Sequence, residues 1–373
     1  MLCPMAGVPL CFLQYIGYLN KEPSMSLLWI DGFDNYGTSI NAVPAPTGIV
    51  GRKYVILDEA QMKVRTGRLG GYALDPYATS TNSYIRKTFI TTQDTLIAGF
   101  AIKFTTIDND VRFFAFFDDA QRGMNLHINT TGEFTVFRDT TAITSGVTSG
   151  AGIVTNTWFY IEFKIKCHAS LGTIDVVVNG VNKLTMTGQN TKAGTHSYHN
   201  GISLTGTSTA NVVYYDDLYV CDNSGSTNND LLGSRRVVTL YPSANGDSAN
   251  WTPLSGDNYT NVDDGSLQDG DTTYVSTAAS NVEDLYSYAN VTTAPTQING
   301  IMICTDGRVN GTGPYSIQDE CKSNITTSNS ANQVFADTVN YTTSIRILET
   351  DPDTTNAWTV SGLDNAQFGF HLV

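Results

Sequence analysis

The feature that most constrains this chain is a strict alternation over seven residues: Ile161, Phe163 and Ile165 stand between Tyr160, Glu162, Lys164 and Lys166. Successive side chains of a strand point to opposite faces, so this pattern predicts a strand with one buried face and one wet face. Two apolar runs, 174–178 and 181–186, then flank Asn179-Gly180. A type I′ turn needs positive φ at both central positions, which Asn-Gly supplies, so a tight hairpin is expected there. Phe100, Ile102 and Phe104 alternate with Ala101 and Lys103. Met124, Leu126 and Ile128 alternate with Asn125, His127 and Asn129, and Thr130-Thr131-Gly132 turns the chain into 134–138 as a second hairpin. Further strands are expected at 202–204 and 212–220.

Composition agrees with this pattern. Only 15% of residues are charged, and Thr, Ser, Asn and Gly fill the difference, which favours strands and turns over helices. The class is all-β. Antiparallel strands with one apolar face need a second sheet to cover it, so a sandwich is expected.

At 373 residues the chain can bury two separate cores. The polar, turn-rich stretch 222–230 reads as a linker, dividing a domain at 25–225 from one at 226–373. The second region has expected strands at 237–241, 298–304, 344–349 and 368–373, a helical turn at 283–288 and a long loop at 257–273. Residues 1–24 read differently. They carry no Lys or Arg before Lys21, and Pro4, Gly7, Pro9 and Gly17 interrupt the apolar run, so neither a secretory signal nor a membrane span fits. Lys21-Glu22 can be encoded by a bacterial ribosome-binding sequence with Met25 following, so 1–24 is expected to be a translated leader or a loosely ordered arm.

The formal net charge is -14 with scattered positive residues, which argues against nucleic-acid binding. The six cysteines form no CxxC pair and lie far from the histidines, so free buried thiols are expected, with Cys304–Cys321 the one pairing considered.

Residues of about 27–225 resemble the concanavalin A-like, laminin G-like jelly-roll family. The resemblance is carried by Trp29-Ile30-Asp31-Gly32-Phe33-Asp34, Asn156-Thr157-Trp158-Phe159-Tyr160-Ile161-Glu162, Val176-Val177-Val178-Asn179-Gly180 and Tyr215-Asp216-Asp217-Leu218-Tyr219-Val220. It implies a concanavalin A-like jelly-roll sandwich whose first and last strands lie side by side, followed by a second, smaller β-sandwich domain. The whole chain is similar to tailed-bacteriophage virion proteins that end in a Trp-Thr…Phe-Gly-Phe pattern, here Trp358-Thr359 and Phe368-Gly369-Phe370.

Three site hypotheses follow. Glycan stacking would use Trp251, Tyr84, Tyr198 and Tyr259, against the simpler reading that these aromatics fill a core or a subunit contact. A structural calcium, which the resemblance implies, would use Asp31, Asp34 and Asp217, against the simpler reading that Asp216 and Asp217 bind local amides. Glycoside hydrolysis needs two facing carboxylates, but Glu133 and Glu162 stand alone, and Asp118-Asp119 would point to opposite faces of an extended strand. No Gly-x-Ser-x-Gly elbow occurs, and His127, His168, His196, His199 and His371 read as surface or interface residues, the His196/His199 pair as chance.

The expectation is therefore a chain with no catalytic, cofactor-binding or metal residues and no cofactor beyond that calcium. Its expected role is that of a non-enzymatic structural protein on the virion surface, tail-associated or a head decoration, stabilising the particle or contacting the host. Its expected partners are copies of itself, neighbouring virion proteins and host-surface glycans, with no nucleic acid and no membrane insertion. The alternative is a secreted bacterial carbohydrate-binding module or adhesin.

Overall fold

The computed structural model describes residues 3–5, 10–11, 25–37, 52–57, 62–76, 84–119, 121–143, 152–206, 212–293 and 295–373. The chain forms two compact units: Lys21–Leu28 with Thr38–Arg236, and Met1–Asn20 with Trp29–Gly37 and Val237–Val373. Both are antiparallel β-structures, and the protein is all-β with a jelly-roll sandwich as its larger unit.

The jelly roll has a back sheet in the order Val181–Gln189, Gly172–Val178, Trp158–Lys166, Thr95–Phe104, Val213–Asp222, Tyr72–Pro76, Met62–Thr66. Its front sheet runs Thr141–Ala142, Phe134–Arg138, Gln121–Ile128, Val111–Asp118, Gly201–Thr205, Tyr84–Thr88, Val55–Leu57. Aromatic rings fill the space between: Phe100 stacks on Phe114 at 4.8 Å and Phe116 on Phe163 at 5.1 Å. Ile161, Phe163 and Ile165 are fully buried, as their alternation requires. Asn179 and Gly180 take φ of 49° and 76°, the left-handed pair that the hairpin demands. The Asp222 amide donates to the Ser26 carbonyl at 2.9 Å, so this unit's first described residues lie beside its closing strand.

The stretch 222–230, read from sequence as a linker, is held against the jelly roll. Lys164 Nζ donates to Asp230 at 2.6 Å, and just beyond, the Leu232 amide donates to the Tyr219 hydroxyl at 3.0 Å. The unit continues to Arg236. Most of the expected leader or arm, 1–24, lies outside the described residues. Within it, Cys3–Met5 pairs with Val275–Thr277, and Leu10–Cys11 pairs with Ile301–Gly307.

In the second unit, one sheet centres on Ile301–Gly307 paired with Thr342–Leu348. The other runs Pro242–Ala249, Val282–Tyr288, Gln367–Leu372, Tyr315–Ser323, Thr326–Asn329. Its core gathers Trp251, Tyr286, Trp358, Phe368 and Phe370. The Phe-Gly-Phe pattern has a packing reason: both rings face inward, while a Cβ on Gly369 would lie 1.8 Å from the Asp284 carbonyl oxygen of the neighbouring strand. The helical turn expected at 283–288 is instead part of the strand Val282–Tyr288, because Tyr286 and Tyr288 turn into this core with period two. Cys304 and Cys321 are both buried, and no disulfide joins them.

Candidate functional site

The outer face of the front sheet gathers polar groups that sequence reading treated one by one. Register explains how. Leu126 pairs with Phe114 and His127 with Arg112, leaving Phe113 as the extra residue of a bulge. Phe113 and Phe114 therefore both face the core, Phe113 against Phe104 at 5.5 Å and Phe114 against Phe163 at 6.1 Å. Arg112, Ala115 and Phe117 are thereby turned outward. One row then crosses the sheet through paired positions: Val55, Arg86, Ser203, Ala115, Asn125 and Phe137. Arg122 stands opposite Phe117, and Tyr84 opposite Thr205.

Small side chains make the floor of this face. Ser203, Thr205, Asn125 and Ala115 are buried, and the half-buried Arg86, Arg112, Arg122, Tyr84, His127 and Phe137 stand around them. Arg86 lies over the Phe117 ring at 5.1 Å. Arg122 pairs with Asp139 at 3.0 Å. Burial, followed by the charge of Arg122, lowers the Arg112 pKa from its ordinary value. Among the described residues, the Nε atoms of all three arginines and the hydroxyls of Ser203 and Thr205 are buried without a hydrogen-bond partner. Unpaired buried polar groups are costly in a folded protein, and a cluster of them on one face is ready for a polar ligand.

His127 is positioned within this face. Its Nδ1 lies 3.0 Å from Asp110 Oδ1 and its Nε2 lies 2.9 Å from Asn125 Oδ1, with the ring over Phe137 at 4.2 Å. Asn125 Nδ2 donates to the carbonyls of Phe137 and Asp139 at 3.3 and 3.1 Å, which turns the amide oxygen toward the imidazole. Burial lowers the His127 pKa, against the opposing pull of the Asp110 carboxylate. Sequence reading set His127 aside as a surface residue. The usable signal was the alternation at 124–128: burying Met124, Leu126 and Ile128 turns Asn125 and His127 together to the other face.

The other residues singled out from the sequence disperse. Trp251 is a core residue, edge-on to Phe370 at 4.7 Å, and Tyr259 packs partly buried against the same core, so neither is an open stacking surface. Asp31 is fully buried and accepts from the Phe33 amide and the Tyr36 hydroxyl, both at 2.6 Å. Asp217 pairs with Arg68 at 2.7 Å, and Asp216 accepts from the Arg68 and Asp217 amides at 2.6 and 2.8 Å. Asp31 and Asp34 belong to one compact unit and Asp217 to the other. Glu133 is occupied by Asn129 and Thr131, and Glu162 by Tyr219 and Gly233. His168 Nδ1 accepts from the amides of Ser170 and Leu171, and His371 lies 3.4 Å from Asn329.

Two expectations are corrected by geometry. Asp118 and Asp119 do not point apart, because Asp119 takes φ of 50° and bends the hairpin tip. Their carboxylates meet His196, whose ring carries Tyr198 stacked at 4.7 Å. His199 is a buried residue, not a surface one, at 1% exposure with neither ring nitrogen partnered among the described residues. Burial depresses its pKa to about 4.

No family model matches the chain, and no curated protein matches it. Solved structures do resemble it. An endo-β-1,4-glucuronan lyase from the fungus Trichoderma reesei shares 11% identity at a TM-score of 0.37, covering 50% of this chain and 94% of that one. The alginate lyase Aly36B shares 11% at 0.38, covering 53% and 97%. A structure of botulinum neurotoxin type C, described as entering cells through two ganglioside molecules, shares 10% at 0.36, covering 94% and 98%. The expectation that this chain is not an enzyme is withdrawn, because Asn125, His127 and Arg112 gather on one face of the front sheet. Its basis was a search for carboxylate pairs and serine triads, which does not test for a constellation of His127, Asn125 and Arg112.

Proposed function

We propose that the outer face of the front sheet binds an anionic polysaccharide. The observation that carries this reading is the gathering of Arg86, Arg112 and Arg122 on one sheet face, their Nε atoms unpartnered among the described residues, in a chain whose net charge is -14. A guanidinium presents planar paired donors that match a carboxylate or sulfate, and the Tyr84 ring stands on the same face for a sugar to pack against. The alginate and glucuronan named for two of the similar structures are anionic polymers and serve as probes. Calorimetric titration of the full chain with alginate oligosaccharides should show binding that Arg112→Ala weakens, and no binding of a neutral β-glucan. Equal binding of charged and neutral polymers, or none of either, rejects the proposal.

A catalytic extension is favoured by His127. A carboxylate held by Arg112 makes its α-carbon proton more acidic, and the His127 imidazole, in its unprotonated form, is the base on the same face for that proton. Elimination would then break the glycosidic C–O bond at the β-carbon, the leaving oxygen taking a proton from solvent water, and place a double bond in the product, read as new ultraviolet absorbance that His127→Ala abolishes.

As the setting we propose the surface of a tailed-phage particle, in multiple copies, which the sequence pattern of the chain suggests. Immunogold labelling of intact particles tests this, and particles without label reject it.

A further inference from the structure

We infer that Asp118, Asp119 and His196 form a site for a divalent transition-metal ion, separate from the arginine face. The hairpin tip that follows Val111–Asp118 and the loop carrying His196 bring one ligand atom from each residue within 4.8 Å of one another. Asp118 accepts from the His196 ring Nδ1 and, through its other oxygen, from the His196 amide at 3.0 Å. Asp119 Oδ2 lies 3.6 Å from the same ring nitrogen. These donors come from segments 77 or more residues apart in sequence, so their meeting is a product of the fold and not of a local acidic run.

The neighbours hold this arrangement. Asn200 accepts from the Asp119 amide at 2.8 Å and donates to the Asp119 carboxylate at 2.7 Å. Gly194 leaves the room required, since a Cβ there would lie 1.9 Å from Asp118 Oδ2. Tyr198 fixes the plane of the His196 ring by stacking on it. Such supporting contacts orient metal ligands in general.

Charge gives the cluster a reason to bind a cation. The Asp118 side chain is 3% exposed, yet among the described residues neither it nor Asp119 forms an ion pair with any Lys or Arg. The buried Asp118 has only one imidazole as its ion-pair partner, and Asp119 adds a second negative charge beside the same ring. His199 supplies an independent observation. Phe116 and Asp118 share the inner side of their strand, and the His199 ring lies 6.1 Å from that of Phe116, so the unpartnered imidazole is on the same side as the Asp118 carboxylate. A metal-bound water on that side would give one of its two nitrogens a partner.

The donor set selects the ion. Two carboxylate oxygens with an imidazole nitrogen suit Zn²⁺, Co²⁺ or Mn²⁺, whereas Ca²⁺ takes six to eight oxygens. Three protein ligands leave positions for water.

The test uses the full metal-free chain titrated with Co²⁺ and followed by visible absorption, with a parallel melting series in Zn²⁺. One equivalent of Co²⁺ should develop a d–d band, and Zn²⁺ should raise the melting temperature. Asp119→Asn and His196→Gln should each weaken Co²⁺ binding by at least about tenfold. Asp119 is 62% exposed, so its variant should match the parent's melting temperature in chelator. A band absent from the parent, or one unchanged in both variants, overturns the assignment. Because the arginine face shares none of these residues, its glycan titration succeeds or fails independently.

Discussion

The Tyr219 hydroxyl donates to the Glu162 carboxylate at 2.5 Å, and both side chains are buried. Glu162 keeps the alternation of its strand but lies on the face expected to be wet, where it is only 2% exposed. The hydroxyl and the Gly233 amide, 2.7 Å away, make that burial tolerable. Gly99 on the adjacent strand leaves space for the tyrosine, because a Cβ there would come within 2.1 Å of its ring. Tyr219→Phe keeps the ring and removes the donor, leaving a buried carboxylate short of one bond. The variant should lose about 1–3 kcal/mol in chemical denaturation. An unchanged midpoint would show that water replaces the hydroxyl.

What could be read from sequence was local. Ile161, Phe163 and Ile165 announce their own strand, and Asn179-Gly180 its own turn, because period and turn chemistry act over a few residues. What was missed depends on register. Nothing near Phe113 announces that it and Phe114 both face inward, and only the bulge opposite His127 sends Arg112 out to join Arg86 and Arg122. Asp118 and Asp119 were judged as an extended pair, and a single left-handed residue reversed that conclusion. Charge counting had the same limit, since it reports a scatter of cations along the chain and not a sheet that gathers three of them.

The stability contributed by two buried carboxyls should fall as pH rises from about 4 to 7. Burial raises the Asp319 carboxyl from 3.8 to about 6, although Ser344 and Thr305 donate to it. Burial and the adjacent Glu283 raise Glu320 from 4.5 to about 7. A carboxyl whose folded pKa lies above its unfolded one binds its proton more tightly when folded. Its favourable contribution is present at acid pH and is lost between the unfolded and folded values, here from about pH 4 to 7. Glu320→Gln mimics the protonated form and should flatten this slope, gaining roughly 2–3 kcal/mol over the parent at pH 8 and little at pH 4. Denaturation at both pH values measures it, and a parallel pair of curves would refute the assignment.

Trp251 separates core from glycan surface. It packs edge-on to Phe370, and its amide donates to Asp284 at 2.8 Å, deep in the second unit. Trp251→Ala should cost about 3–5 kcal/mol as a large cavity opens. Trp251→Phe should keep most of the packing and leave alginate binding unchanged. Lost glycan affinity in a folded Trp251→Phe protein would return this residue to the binding surface.

The arginine face makes a prediction about salt. Guanidinium–carboxylate attraction at a partly open face is screened as ionic strength rises, with a Debye length near 10 Å at 0.1 M falling to about 3 Å at 1 M. Alginate affinity should therefore decline steadily with added NaCl. Arg112→Ala and Arg86→Ala should each weaken binding about tenfold at low salt, a change of about 1.4 kcal/mol, and make the remaining affinity less salt-dependent. Lys322, whose ammonium pairs with Asp247 at 2.5 Å in the second unit, supplies the control. Lys322→Ala removes a positive charge elsewhere on the chain, and if binding follows total charge it will fall as much as in the arginine variants. Binding that is unmoved in Lys322→Ala and weakened in both arginine variants places the attraction on the sheet face itself.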